Sequence, residues 1–108
     1  MNIDIKRQNI LEFAEDNTKE VVRPPRNFKV LLHNDDYTTM DFVVEVLMRI
    51  FKKSKSEAVA IMLIIHNNQV GVCGIYPFEI AETKVKQVEA LAQANLFPLR
   101  CTMEAIND

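Results

Sequence analysis

A chain of 108 residues, 48% hydrophobic and 26% charged, has room for one small globular domain with a single core. Its 13 basic and 15 acidic residues leave a net charge of -2, which gives no general electrostatic reason to bind nucleic acid or an anionic membrane. No apolar run approaches the ~20 residues that cross a bilayer, and the N-terminus lacks the apolar centre of a secretory signal, so we expect a cytoplasmic protein.

The first 26 residues are predicted to form a flexible tail. They are polar and mixed in charge, and they end in VVRPPR, whose paired prolines can neither join a helix nor donate to a β ladder. The folded domain is therefore expected to cover residues 27–108, in which no internal repeat is found.

The first strand and the first helix are predicted on either side of an acidic turn. Residues 28–33 (FKVLLH) are rich in strand formers, and residues 34–36 (NDD) have turn chemistry. Thr38 stands three residues before Asp41, which is the spacing of a capping box, so Thr38 is predicted to cap the helix. Apolar residues at helical intervals predict the buried face: Met40, Val43, Val44, Leu47, Met48 and Phe51.

A second helix comes soon after the first, so the two helices are predicted to form a hairpin. Ser54 and Glu57 repeat the capping pattern, and the helix is expected to end near residues 66–68. Its buried face is predicted to consist of Ala58, Ile61, Met62 and Ile65.

A strand, a helix and a strand complete the predicted fold. Residues 69–75 (QVGVCGI) indicate a strand, Pro77 begins a third helix, and residues 99–103 (LRCTM) indicate a closing strand. Lys84 and Lys86 are expected on the solvent side of the third helix. Its inward residues are predicted to be Ile80, Ala81, Val85, Val88 and Leu91. The order βααβαβ predicts a small α+β domain with a three-stranded antiparallel sheet packed on three helices.

The two cysteines, Cys73 and Cys101, lie far apart and form no CxxC motif, so we expect reduced, partly buried thiols. A zinc site is not expected, because two of its usual four ligands would have to be isolated histidines. No cofactor is expected either.

Three consecutive side-chain acceptors, in Asn34, Asp35 and Asp36, lie between a strand end and a helix N-terminus. One capping residue would satisfy the helix, and Thr38 has that spacing, so the turn offers more acceptors than the helix needs. If the two helices are antiparallel neighbours, the turn lies beside His66 at the end of the second helix. A histidine in that position is also a common partner of the helix C-terminus.

This juxtaposition predicts a polar rim around an apolar pit. The residues available to line the pit are Met40, Val43, Met62, Ile65 and Leu99. The complement of such a site is a small cation attached to an apolar group, and a free peptide α-amino group followed by a bulky side chain has this chemistry.

Acid-base catalysis by a hydrolase remains an alternative, with Asp35 or Asp36 acting together with His66. Against it, the sequence shows no nucleophile next to a base, no oxyanion-type glycine turn and no metal cluster. Binding is therefore favoured over catalysis.

The chain resembles the ClpS family in four segments: HNDDYTTMDFVVEVL, AVAIMLIIH, VGVCGIYPFEIAETKV and FPLRCTME. Members of this family are adaptors that deliver N-degron substrates to the Clp ATP-dependent protease. The resemblance therefore implies an adaptor that is not an enzyme and that we expect to be a monomer. The fold also resembles the C-terminal domain of the ribosomal stalk protein, a structural partner module without an amine pocket.

The resemblance implies roles for the residues of the site. Asn34, Asp36 and His66 correspond to the groups that hold the α-amino group of the substrate, and Asp35 and Thr38 to those that bond its first peptide units. The pocket for a Leu, Phe, Tyr or Trp side chain corresponds to Met40, Val43, Met62, Ile65 and Leu99. Met40 resembles the family's gatekeeper, which opposes the β-branched residues Ile and Val.

A second surface is implied by the same resemblance. Glu79 and Lys84 correspond to charged residues with which the family docks on the N-terminal domain of the ClpA unfoldase, whereas the pattern alone indicates a solvated helix face. The family's N-terminal tail is engaged by the unfoldase during hand-over. Three positions depart from the common pattern: Thr39 replaces a frequent proline, Ile65 a frequent valine, and His33, expected at an exposed strand end, an apolar residue.

Overall fold

The computed structural model describes residues 26–106, and its elements follow the predicted order βααβαβ. They are β1 (Asn27–His33), α1 (Met40–Arg49), α2 (Lys55–Asn68), β2 (Val70–Pro77), α3 (Phe78–Ala94) and β3 (Arg100–Ala105). The strands form one antiparallel sheet in the order β2-β1-β3, so the α+β prediction is confirmed. The prediction of a flexible tail over residues 1–26 falls, apart from Arg26, outside the described residues.

The central strand of the sheet is β1, which pairs with β2 on one side and with β3 on the other. A bulge at Cys73 shifts the register of β2 between the partners of Val30 and Leu31. His33, the last residue of β1, lies opposite Val70, the first residue of β2. The acidic turn therefore leaves the sheet beside the junction of α2 and β2.

The start of α1 differs from the prediction. Thr39, and not Thr38, is the N-cap: its hydroxyl oxygen accepts a hydrogen bond from the backbone N–H of Phe42 at 3.1 Å. The Thr38 hydroxyl is instead bonded to the Asp35 carboxylate, which removes it from the capping role. A capping pattern in sequence cannot register such a competing partner.

The buried face of α1 was also only partly predicted by the apolar spacing. Phe42, Val43, Val46 and Leu47 are buried. Met40 and Met48, which the pattern placed inside, are 44% and 38% exposed. Seven of the ten positions of the helix are apolar, so neighbouring stripes carry similar patterns, and contact with the sheet selects between them.

Helix α2 begins at the predicted capping box. The Ser54 hydroxyl oxygen accepts from the Glu57 N–H at 3.2 Å, and the Glu57 carboxylate accepts from the Ser54 N–H at 3.1 Å. The helix ends at Gln69, whose left-handed φ of 76° turns the chain into β2 and whose N–H donates to the carbonyl of Ile65. His66 thus lies in the last helical turn, as expected.

Helix α3 begins at Phe78, one residue after the predicted start, with Pro77 as its N-cap, and it packs on all three strands. Ala81 and Val88 are buried as expected, whereas Ile80 is 48% exposed, so its predicted inward position is wrong. The predicted solvent position of Lys84 is also wrong. Lys84 is partly buried, because its ammonium contacts the end of α1.

The core lies between the sheet and the helices. Its most fully buried side chains are Leu32, Leu47, Ile65, Val30, Val46, Val88 and Cys73. Cys73 and Cys101 are both free and buried, and burial raises the pKa of each thiol to about 12. Neither thiol forms a reactive thiolate near neutral pH. Within residues 26–106, no helix combines the length and the apolar character needed to cross a bilayer.

Candidate functional site

A cavity of about 270 Å³ lies where the end of β1, the start of α1 and the end of α2 meet. It is lined by Asn34, Asp35, Asp36, Thr38, Met40, Val43, Met62, Ile65 and His66. The antiparallel packing of α1 and α2 thus brings nine of the ten residues predicted for the site to one place. The volume lies just below the ~300–1,000 Å³ of pockets for drug-sized ligands, and therefore suits one amino-acid side chain.

Asn34 is fixed by the segment that joins α2 to β2. Its backbone N–H donates to the carbonyl of Gln69 at 2.8 Å, and its side-chain nitrogen lies 3.5 Å from the Gln69 side-chain oxygen. With the amide nitrogen turned toward Gln69, the amide oxygen is free to accept a hydrogen bond from a ligand. No sequence pattern marks Gln69 for this role, because the role depends on a contact between residues 35 positions apart.

Asp35 shapes the turn. One carboxylate oxygen accepts from the backbone N–H groups of Tyr37 at 2.8 Å and Thr38 at 2.7 Å, and the other accepts from the Thr38 hydroxyl at 2.7 Å. Burial by itself would raise the pKa of Asp35, but the hydrogen bonds from Thr38 and Tyr37 outweigh it, so the pKa is lowered. Asp35 is therefore a carboxylate anion at neutral pH that holds Thr38 against the cavity.

Thr38 has one further capacity in this arrangement. Its hydroxyl proton is directed to Asp35, so the lone pairs of the oxygen are what it can present to a ligand. A peptide N–H that reaches the cavity wall would find an acceptor there.

The rim of the cavity is polar and open to solvent. Asp36 comes directly after Asp35 in the turn, and His66 lies across from it in the last turn of α2; both side chains are exposed. With the Asn34 amide oxygen, they surround the mouth with three groups that can accept hydrogen bonds when His66 is neutral.

The wall of the cavity is apolar, with a rigid floor and a softer mouth. Val43 and Ile65 are 7% and 2% exposed and belong to the core. Met40 and Met62 are more exposed, and the flexible thioether of methionine allows it to adapt to different side chains. Leu99, the tenth predicted residue, does not line the cavity; it is 6% exposed and lies in the core.

Gly71 supports the floor from behind, and sequence reasoning missed it. A Cβ built on Gly71 would lie 2.7 Å from Cγ1 of Ile65, so only glycine permits this close packing. A glycine inside a predicted strand is the signal that could have identified such an approach.

Another residue singled out in the sequence, His33, lies away from the cavity. It is half-buried rather than exposed, and its Nε2 lies 2.8 Å from the Thr102 hydroxyl in β3. Burial, with the neighbouring Arg100, lowers the pKa of His33. Its contacts are with the sheet and not with the acidic rim.

The predicted docking residues lie on α3. Glu79 is exposed in the first turn. The Lys84 ammonium donates to the backbone carbonyl of Ile50 at 2.7 Å, at the end of α1, and lies 5.7 Å from the centre of the Tyr76 ring. The structure thus gives Lys84 an internal role that the sequence did not indicate.

Among residues 26–106, no cluster of three or more His, Cys, Asp or Glu side chains is arranged to hold a metal ion. The described site combines acceptors at the rim, an apolar wall and a turn pre-shaped by Asp35, an arrangement suited to binding a ligand that carries both a donor group and an apolar group.

The chain matches one family of known proteins. The sequence profile described as "ATP-dependent Clp protease adaptor protein ClpS" matches residues 23–102. An ATP-dependent Clp protease adapter protein ClpS of Oleidesulfovibrio alaskensis is 58% identical over 88 residues, which cover 82% of this chain and 85% of that protein. One from Desulfatibacillum aliphaticivorans is 64% identical over 80 residues, covering 74% and 77%.

A solved structure agrees with these matches. Agrobacterium tumefaciens ClpS2 bound to L-phenylalaninamide superposes with a TM-score of 0.75 at 36% identity, covering 77% of this chain and all of that chain. Fold and sequence together define an adaptor of an ATP-dependent protease. The chain belongs to the ClpS family, and the resemblance seen in its motifs is confirmed.

Proposed function

We propose that this adaptor binds proteins that carry a destabilising bulky N-terminal residue, Leu, Phe, Tyr or Trp, and delivers them to the ClpA unfoldase of the ClpAP protease. The observation that carries the proposal is a cavity in which an acceptor rim meets an apolar wall of one-side-chain size. An α-amino group and the first side chain of a protein are joined by one carbon atom, so one small cavity can receive both.

The rim matches an ammonium group. An ammonium has three N–H donors, and burying it without partners is costly. Asn34, Asp36 and neutral His66 offer three acceptors around the mouth, and Asp36 also supplies opposite charge. Charge-assisted hydrogen bonds of this kind are about twice as strong as neutral ones.

The wall matches the side chain of the first residue. Enclosing a Leu or Phe side chain contributes roughly 1.5–3 kcal/mol to the free energy of binding. The floor formed by Val43 and Ile65 is already buried and fixed. L-Phenylalaninamide, the ligand of the related ClpS2 structure, has a free amino group and an aromatic side chain. Its chemistry therefore supports the proposed substrate class.

Asp35 and Thr38 serve the peptide units next to the first residue. Hydrogen bonds within the turn use most of the acceptor capacity of Asp35, so its main proposed contribution is to position Thr38, whose hydroxyl oxygen accepts from a substrate N–H. This refines the role that the family resemblance implies for both residues.

Delivery requires a second surface. We assign docking on the ClpA N-terminal domain to the Glu79 and Lys84 face of α3. A substrate held in the cavity is then tethered to the unfoldase, and its effective concentration rises without a covalent step. The proposed adaptor acts as a cytoplasmic monomer and has no catalytic activity of its own.

The test of substrate binding is a fluorescence anisotropy titration of a labelled peptide with N-terminal Phe. Asp36→Asn keeps an oxygen at the rim and removes its charge, so we expect the affinity to fall by about tenfold or more. Glu89→Gln, an equivalent change at an exposed position of α3, is the matched control and should bind normally. Equal affinities of Asp36→Asn and the unmodified protein would contradict the assigned rim.

A further inference from the structure

A second groove adjoins the cavity on the outer side of the helical hairpin. It has a volume of about 490 Å³ and lies between α1 and α2. Its apolar lining consists of Val44, Met48, Val59 and Met62. Met62 also lines the cavity for the first side chain, so the two depressions share a wall.

The groove begins where a bound peptide would leave the cavity. A substrate whose amino group is held at the rim passes its first peptide unit along Thr38 and then over Met40, which is 44% exposed at the start of α1. The next residue of the helix, Asp41, is the first residue of the groove. Because Met62 lines both depressions, the path from the cavity to the groove runs across Met62.

The dimensions agree with a short extended segment. Met40 and Met48 are separated by about 12 Å along the helix axis, at ~1.5 Å per residue. An extended peptide covers that distance in about four residues, at ~3.3 Å per residue. The third to fifth residues of a substrate would thus lie over Val44 and Met48.

The charges along the groove favour an apolar occupant over a charged one. Glu45 and Arg49 form an ion pair at 2.7 Å, so each charge already has a partner. Asp41 lies at the end near the cavity and Lys55 at the far end, which leaves the middle of the groove to Val44, Met48 and Val59. A side chain placed there meets methionine and valine surface.

We propose that this groove is a second substrate subsite, which takes an apolar side chain from the third, fourth or fifth residue of the protein to be degraded. The inference rests on the proposed function and adds to it: the adaptor reads a short N-terminal segment and not the first residue alone. Substrates with the same first residue then differ in affinity according to the identity of their third to fifth residues.

The test uses free-amine peptides that begin with Phe and continue with glycines, into which Leu is placed at position three, four or five. At least one Leu peptide should bind about three- to tenfold more tightly than the all-glycine peptide. Met48→Glu should remove this gain and leave the all-glycine peptide unchanged, and Val59→Asn should act in the same direction. Leu63→Glu, at a similarly exposed position of α2 that lines neither depression, should preserve the gain.

The outcomes separate the subsite from the function on which it rests. Equal binding of the glycine and all Leu peptides, or a gain that survives both groove variants, would overturn the subsite while leaving the N-terminal pocket in place. Failure of every free-amine peptide to bind would overturn the pocket and the subsite together.

Discussion

The Asp35 carboxylate holds Thr38 by two hydrogen bonds of 2.7 Å, one from its backbone N–H and one from its hydroxyl. The pair fixes the turn between β1 and α1 before any ligand is present. Asp35 therefore positions Thr38 within the turn, whereas the side chain of Asp36 beside it is exposed at the rim.

Asp35→Ala should lower both stability and peptide affinity. It removes three hydrogen bonds at a partly exposed turn, so we expect a loss of about 1 kcal/mol in the free energy of unfolding at pH 7, measured in urea. Asp35→Asn retains an oxygen for the two backbone N–H groups and should lose less of both. Identical behaviour of the Ala and Asn variants would refute the positioning role.

The same carboxylate makes this stability difference depend on pH. The folded state lowers the pKa of Asp35 below its unfolded value of about 3.9, so its contribution is fully present above that value and is lost as the pH falls through the folded pKa. The difference in the free energy of unfolding between the unmodified protein and Asp35→Ala, measured in urea, should stay constant from about pH 7 to 5. It should become smaller below about pH 4. A gap that persists unchanged at the lowest pH would contradict the role of the ionised carboxylate.

Gly71→Ala should damage the cavity from behind. The new Cβ would lie 2.7 Å from Cγ1 of Ile65, and the buried Ile65 side chain has little room to retreat. We expect a fall in affinity for Phe peptides greater than that of Gly74→Ala, whose Cβ would press on Tyr76 away from the cavity. Anisotropy titrations and urea midpoints on both variants separate pocket damage from general destabilisation. Equal loss of affinity in the two would place Gly71 outside the site.

Met40→Ala should widen substrate choice. Met40 lies at the mouth of the cavity, where its bulk would meet the branched Cβ of an N-terminal Ile or Val. We expect the affinity for peptides that begin with Ile or Val, measured by anisotropy, to rise by roughly tenfold, a size typical of steric discrimination over one methyl group. Leu63→Ala, with a comparably exposed side chain on α2, is the control. Unchanged discrimination in Met40→Ala would assign the exclusion to another wall.

Lys84→Met should destabilise the fold, independently of any partner. The change retains an apolar stem but removes the donor to the Ile50 carbonyl, so the partly buried contact should cost about 1 kcal/mol in the free energy of unfolding. Lys86→Met at an exposed position of the same helix should stay within ~0.5 kcal/mol. If the two variants unfold at the same urea concentration, the Lys84 contact contributes nothing.

The internal contact of Lys84 also decides how docking is tested. A loss of the proposed ClpA binding in a Lys84 variant would combine two effects, a lost contact with the partner and a disturbed end of α1. Glu79 is exposed in the first turn of α3, so Glu79→Gln is the cleaner variant for measuring the contribution of this face to docking.

Features that depend on neighbours in sequence could be predicted, and those that depend on tertiary contacts could not. The Ser54 and Glu57 capping box is local and was found correctly. The cap of α1 was assigned one residue early, because the sequence does not show that Asp35 captures the Thr38 hydroxyl.

The same distinction applies to the candidate site. The turn and the end of α2 could be brought together in advance, because a helical hairpin places them side by side. Gln69 behind Asn34 and Gly71 behind Ile65 act across strand and helix boundaries, and no local pattern assigns them these partners. Leu99 has the apolar character of a pocket residue but is used by the core.

The proposed function depends on recognition of a free α-amino group together with a bulky side chain in one cavity. The most direct measurement is an anisotropy titration of two peptides that begin with Phe and differ only in acetylation of the amino group. Acetylation removes the charge and two donors, so we expect tight binding of the free peptide and none of the acetylated one. Equal affinity for the two peptides would contradict it.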